Sequence, residues 1–125
     1  MPRICLIVDD SASIRAMVAR SLKLSGAPID RILEAANGVE ALAHLTSAPV
    51  SLVLTDLHMP EMGGEELIGR MQQEFASVPI VVLSAEPSTE RMEELCRKGA
   101  RDYLQKPFTP ENIRNLITPL LGSAQ

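Results

Sequence analysis

The chain lacks the features that mark several common classes of protein. It has no apolar run long enough to cross a bilayer, and its first apolar stretch is too short for a signal peptide. A formal net charge of −4 gives no electrostatic footprint for nucleic acid. Cys5 and Cys96 stand alone without metal-ligand spacing, so we expect two reduced thiols packed as small hydrophobic groups. Together these absences favour a cytoplasmic protein that binds neither membrane nor nucleic acid.

No internal repeat, linker or low-complexity segment divides the 125 residues. This length suits a single domain with a real hydrophobic core, which we expect to span residues 1–125 with its core at about 3–121. No glycine-rich phosphate loop follows the first apolar run, which disfavours a nucleotide-binding protein.

Short apolar runs alternate with segments of helical periodicity. We predict five strands, at Ile4–Val8, Arg31–Ala35, Leu52–Asp56, Ile80–Leu83 and Asp102–Gln105. Helical spacing follows each strand; after the first, the stripe consists of Ile14, Met17, Val18 and Leu22. Strict alternation of this kind predicts an α/β protein with parallel strands, right-handed crossovers and helices on both faces of the sheet.

Polar side chains follow four of the five predicted strands. Asp9 and Asp10 come after the first strand, Asp56 ends the third, Ser84 ends the fourth and Lys106 follows the fifth. Parallel geometry gathers these strand ends at one edge of the sheet, where ligands bind in such folds. Three crowded carboxylates stay ionised only beside a cation, and oxygen ligands with access to solvent suit Mg²⁺. A carboxylate nucleophile, a metal, a lysine and a hydroxyl are the parts that phosphoryl transfer needs.

The whole chain resembles a response-regulator receiver domain of the single-domain, chemotaxis-regulator type. The matching stretches are Leu6–Asp10, Asp56–Pro60 with Gly64, Ser84-Ala85 and Lys106–Phe108. The resemblance implies a flavodoxin-like, doubly wound sheet of five parallel strands in the order 2-1-3-4-5, with five helices covering both faces.

The resemblance also implies the roles of the acidic residues. Asp56 would accept a phosphoryl group from a phosphohistidine. Asp10, Asp56 and the backbone carbonyl of His58 would bind Mg²⁺, with Asp9 acting through water. His58 and Glu86 occupy positions that flank the phosphoryl group in the family, and we expect them to tune the rate of dephosphorylation.

Two further pairs of residues are implied by the same resemblance. Ser84 and Lys106 would bind the phosphoryl oxygens, and the Lys106–Pro107 bond would be cis. Ser84 and Tyr103 would form a switch pair, in which Tyr103 turns into the space that Ser84 vacates. That movement would change the surface made by the fourth helix, the fifth strand and the fifth helix.

The expected function is therefore that of a stand-alone response regulator of a two-component system. Its partners would be a sensor histidine kinase or a histidine phosphotransfer protein and a downstream protein target, reached by direct contact or by phosphorelay. The chain would promote its own phosphorylation and dephosphorylation without being a turnover enzyme. The sequence leaves the kinase, the target, the phosphate lifetime and the choice between a monomer and a phosphorylation-dependent dimer open.

Two other interpretations of the sequence compete with this one. A haloacid-dehalogenase-like phosphatase also uses an aspartate nucleophile with Mg²⁺, but it needs a second aspartate where His58 stands, and its nucleophile follows the first strand. A receiver-like module could instead dock partners without phosphorylation, although Asp10, Asp56, Ser84 and Lys106 are all intact. Turnover of a phosphate monoester would indicate the phosphatase. Failure of Asp56 to be phosphorylated would indicate the docking module.

Overall fold

The strands and helices alternate along the chain. The computed structural model describes residues 2–85 and 88–122. The strands are β1 (Ile4–Val8), β2 (Arg31–Ala35), β3 (Leu52–Thr55), β4 (Ile80–Ser84) and β5 (Asp102–Gln105). The helices are α1 (Ala12–Ser25), α2 (Gly38–Ser47), α3 (Gly64–Glu74), α4 (Thr89–Arg97) and α5 (Pro110–Gly122). Within the described residues, no helix is both long and apolar enough to span a membrane.

All strand pairs are parallel, and the strand order is β2-β1-β3-β4-β5. The predicted flavodoxin-like, doubly wound sheet is therefore confirmed. Because β1 lies between β2 and β3, the order reverses there, and the ends of β1 and β3 are adjacent at the edge where ligands bind in such folds.

The sheet has a hydrophobic cluster on each face. Side chains of a strand point alternately to opposite faces, so Leu6 and Val8 pack with the residues of α2, α3 and α4, whereas Cys5 and Ile7 pack with those of α1 and α5. Both cysteines are free, and burial raises the pKa of the Cys5 thiol to about 12. Burial on both faces explains why β1 is a continuous apolar run.

Helix α1 is capped at both ends, but one residue of its predicted apolar stripe does not face the core. The Ser11 hydroxyl accepts a hydrogen bond from the Ile14 amide at 3.3 Å, and Gly26 adopts the left-handed conformation after the last turn. Met17 was predicted to face the core, yet it is 49% exposed. Successive residues of a helix are rotated by about 100°, so Met17 lies beside the buried line through Val18 and Leu22.

An ionic network joins α3 to α4 on the surface. The carboxylate of Glu65, in the first turn of α3, pairs with Arg91 at 2.5 Å and also with Lys98. Arg91 and Lys98 in turn pair with Glu94 at 2.9 and 3.7 Å. The hydrogen bonds from Arg91 and Lys98 lower the pKa of Glu65 from its ordinary value of 4.5 to about 2.

We expect Glu65→Gln to remove a pH-dependent part of the stability. A carboxylate whose pKa is lowered by folding stabilises the fold above its unfolded pKa, and that contribution disappears as the pH falls through the folded value. The Glu65 side chain is 38% exposed and screened by water, so the expected loss in Tm at neutral pH is only a few degrees. Thermal unfolding of both proteins between neutral pH and about pH 2 should show the difference shrinking towards the acid end.

Glu66→Gln provides the matched control, because Glu66 is the exposed neighbour of Glu65 in the same turn. This variant should have the Tm of the wild type. A difference between wild type and Glu65→Gln that stayed constant with pH would contradict the ionic interpretation.

Candidate functional site

Three aspartates meet at the carboxyl edge of the sheet. Asp9 and Asp10 follow β1, and Asp56 follows the neighbouring strand β3. The Asp56 amide donates a hydrogen bond to the Val8 carbonyl at 2.9 Å, which continues the pairing of β1 and β3 by one residue. One carboxylate oxygen of each aspartate lies within 4.8 Å of the other two. The sheet itself therefore brings together the acidic residues that the sequence singled out.

Burial differs among the three carboxylates. Asp9 is only 5% exposed, and its Oδ1 accepts a hydrogen bond from the Ser11 amide at 2.9 Å, whereas Asp10 is exposed. Burial raises the pKa of Asp56 above its ordinary value of 3.8, although a backbone hydrogen bond from Leu57 and the charge of Lys106 act in the opposite direction.

The donor set fits a hard divalent cation. It consists of carboxylate oxygens that lie close enough to share one ion, and one of the three groups is open to solvent. A bound cation would offset both the repulsion among the aspartates and the desolvation that disfavours ionised Asp56. The cluster could therefore hold a metal ion.

Lys106 lies beside the two less exposed aspartates. Its Nζ is 3.5 Å from Asp9 Oδ2 and 4.0 Å from Asp56 Oδ1, and its side chain is 17% exposed. The Lys106 amide donates to the Ser84 carbonyl at 2.8 Å, and the Lys106–Pro107 bond is cis. The ammonium group thus faces the acidic cluster from the end of β5.

Ser84 and Tyr103 line one small cavity. Ser84 is 3% exposed at the end of β4, and Tyr103 is half-buried on the neighbouring strand β5. The cavity between them and the start of α4 has a volume of about 20 Å³. This is about enough space for one water molecule.

His58 and Glu86 are the two residues expected to tune dephosphorylation, and only His58 lies within the described residues. His58 is exposed, and its charge acts to lower the pKa of Asp56. Glu86 lies outside the described residues.

Residues 5–118 match the family model described as the response regulator receiver domain. The chain belongs to this family. It is 34% identical to the chemotaxis protein CheY homolog of Campylobacter jejuni, in an alignment that covers 94% of this chain and 92% of that protein. Among solved structures it resembles the chemotaxis protein CheY4 of Vibrio cholerae, with a TM-score of 0.83, 36% identity, and coverage of 97% of this chain and 100% of that one.

Receiver sequences also occur inside much longer proteins. The chain is 35% identical to part of the sensor histidine kinase TmoS of Ectopseudomonas mendocina, where the match covers 97% of this chain and spans only 12% of the kinase. Family membership therefore identifies this chain as a receiver domain, a type of domain that is found alone in some proteins and as one part of others.

Sequence reasoning missed two residues that support the receiver site. Arg15, one turn into α1, donates from Nη1 to the Asp9 carbonyl at 2.6 Å. Gly64, the first residue of α3, was noticed only as part of the family pattern, yet it packs directly against the Asp56 carbonyl. The only local signal for Arg15 was a charged residue next to the apolar stripe, and such residues are common.

Gly64 leaves no room for a side chain. A Cβ atom there would overlap the Asp56 carbonyl oxygen and lie 3.1 Å from Leu57 Cα, and both neighbours are backbone atoms that cannot rotate away. The Gly64 amide also donates to the Leu57 carbonyl at 2.9 Å. The loop after Asp56 therefore folds back tightly on the start of α3.

We expect Gly64→Ala to lower the free energy of unfolding by about 1–3 kcal/mol, because the added methyl group must push the backbone of residues 56 and 57 aside. Gly69→Ala, in the same helix but with open space around its Cβ, should raise it by about 0.5–1 kcal/mol. Urea unfolding of the two variants checks both signs. Equal effects of the two substitutions would contradict the close packing described for Gly64.

Proposed function

We propose that this receiver domain is the phosphoacceptor of a two-component system. Asp56 takes a phosphoryl group from the phosphohistidine of a sensor histidine kinase or a histidine phosphotransfer protein. The observation that carries the proposal is the position of Lys106 Nζ, 3.5 Å from Asp9 and 4.0 Å from Asp56, within the same cluster of acids. A nucleophile, an acidic cation site and an ammonium group are then in one place.

The transfer exchanges one bond to phosphorus for another. An ionised Oδ of Asp56 attacks the phosphorus, and an O–P bond forms as the P–N bond to the donor imidazole breaks. The imidazole takes the electron pair of the broken bond and leaves as a neutral ring once it is protonated on one nitrogen. The product is an acyl phosphate on Asp56.

The surrounding residues reduce the repulsion that this attack meets. Asp9, Asp10, Asp56 and the backbone carbonyl of His58 would hold Mg²⁺, which neutralises charge on the carboxylates and on the phosphoryl oxygens when bound. Lys106 supplies a compact point charge to the oxygens of the incoming group.

Phosphorylation would be sensed through Ser84 and Tyr103. The new group brings negative charge and strong acceptor oxygens, towards which the Ser84 hydroxyl can move to donate a hydrogen bond. A cavity of about 20 Å³ lies beside Ser84 and is also lined by Tyr103. Tyr103 would turn into the space that Ser84 vacates, and residues at the start of α4 form one wall of this cavity.

The output would be a changed surface on α4, β5 and α5, recognised by a downstream protein, or a transfer of the phosphoryl group to another histidine. The similarity to chemotaxis proteins of Campylobacter jejuni and Vibrio cholerae supports signalling by protein contact. Both a monomer and a phosphorylation-dependent dimer are compatible with this output. The domain itself would be phosphorylated and later dephosphorylated, so it should not turn over phosphate monoesters as a separate substrate.

We expect the wild-type chain to gain the mass of one phosphoryl group when it is incubated with a small acyl-phosphate donor and Mg²⁺. Asp56→Asn should gain none, because an amide cannot form the acyl phosphate. Asp30→Asn should behave as the wild type, since Asp30 precedes β2 at the opposite edge of the sheet and binds the Arg3 amide. Intact-protein mass spectrometry reports all three, and an unmodified wild type would refute the proposal.

We also propose that His58 and Glu86 tune the lifetime of the phosphoryl group. Replacing either residue by alanine should change the rate of autodephosphorylation several-fold, because both positions influence the access of the hydrolytic water. His44→Ala, on α2, is the control for loss of a histidine elsewhere. The decay of the phosphorylated mass after removal of the donor measures the rate, and wild-type lifetimes in both variants would be evidence against this role.

A further inference from the structure

Every polar group of Asp9 has a partner. Its amide donates to the Ala35 carbonyl at 3.0 Å, and its carboxylate is held by the Ser11 amide and by Lys106. Its carbonyl oxygen accepts a hydrogen bond of 2.6 Å from Arg15 Nη1. That last contact is the only one of the four in which a side chain binds the backbone of Asp9.

The carbonyl that Arg15 binds belongs to the peptide unit between Asp9 and Asp10. A peptide unit is planar, so its orientation is set only by ψ of the residue before it and φ of the residue after it. Fixing this carbonyl therefore fixes the peptide plane and, with it, the N–Cα bond of Asp10, the axis about which its side chain is placed. Asp10 is exposed and gains no such restraint from burial.

The guanidinium group is itself held in place. Arg15 Nε donates to Glu34 Oε1 at 2.8 Å, so two neighbouring N–H groups of one planar fork bind a carboxylate on β2 and the Asp9 carbonyl. The Arg15 side chain is 17% exposed, while Glu34 is 47% exposed. An ion pair this exposed adds little stability by itself, but it orients the fork.

We propose that Arg15 is a positioning residue for the acidic cluster: it holds the Asp9–Asp10 peptide so that the two carboxylates converge with Asp56 on one cation. This inference rests on the proposed function, because it assigns Arg15 a role towards the Mg²⁺ site of the phosphoacceptor. Arg15 contacts the backbone between two ligands and no ligand oxygen itself.

The positioning role and the electrostatic effect of Arg15 predict opposite changes in Mg²⁺ affinity for Arg15→Ala. A positive charge near a cation site repels the cation, so its loss alone would tighten Mg²⁺ binding. Loss of positioning would weaken binding, since the ion would have to order a peptide that is already ordered in the wild type. Removal of groups that orient metal ligands weakens metal affinity by about 10-fold or more.

The test is a calorimetric Mg²⁺ titration of the full chain as wild type, Arg15→Ala, Arg15→Lys and Arg20→Ala. Arg20→Ala removes a charge from the exposed face of the same helix and should leave the affinity unchanged. Arg15→Ala should bind about 10-fold more weakly. Arg15→Lys keeps the charge but lacks the planar fork, so its affinity should lie between those of the wild type and Arg15→Ala.

A second measurement uses the metal-free protein. Nitrogen-15 relaxation should show greater backbone mobility at Asp10 in Arg15→Ala than in the wild type, with no change at Asp10 in Arg20→Ala. A purely structural role in α1 would loosen the helix without this local effect. If Arg15→Ala does not fold, Arg15→Lys decides: weaker binding supports positioning and wild-type affinity overturns it.

The outcomes separate this inference from the proposed function. A wild-type chain that binds no Mg²⁺ overturns the metal site of the proposed function, and the role of Arg15 with it. A wild type that binds Mg²⁺ while Arg15→Ala binds equally well or more tightly overturns only the role of Arg15.

Discussion

The mutual repulsion of the acidic groups beside Lys106 is the constraint on which this site depends. Asp9 is nearly buried and Asp56 is half-buried, so water screens their charges poorly, and both burial and the charge of Asp9 raise the pKa of Asp56. The ammonium of Lys106 offsets part of the repulsion between these carboxylates, from which it lies 3.5 and 4.0 Å away. One ammonium does not balance three aspartates, so the cluster favours a further cation.

The positions of these groups were predictable because the fold places them by backbone alone. Parallel strands bring their carboxyl ends to one edge, so residues that directly follow β1, β3 and β5 lie at the same edge of the sheet. Three of the strands, β1, β2 and β5, begin and end at the predicted residues, whereas β3 ends one residue earlier than predicted and β4 one residue later. Asp9, Asp56 and Lys106 could thus be assigned to one cluster without knowledge of any side-chain conformation.

The contacts that support the cluster were not predictable, because they depend on long side chains and on the rotation of helices. Arg15 binds a carbonyl six residues earlier in the chain and also Glu34 on β2. The spacing of these residues in the sequence does not indicate either contact. Glu65 binds Arg91 of α4 and Lys98, the residue that follows this helix, and their spacing does not indicate these contacts either. Met17 was misplaced for a related reason: apolar character alone put it in the predicted stripe, but the rotation of the helix turns its side chain away from the core.

Two separate routes connect the acidic cluster to α4. One runs through the buried Ser84 and the small cavity that it shares with Tyr103 and α4. The other runs through the backbone, since Gly64 packs on the Asp56 carbonyl and the next residue, Glu65, holds α4 by its ion pairs. A ligand at Asp56 can shift α4 only by the difference in its affinity for the two positions of that helix. Under the proposed function, the Ser84 hydroxyl would supply such a difference, whereas the ion pairs of Glu65 would oppose a movement of α4.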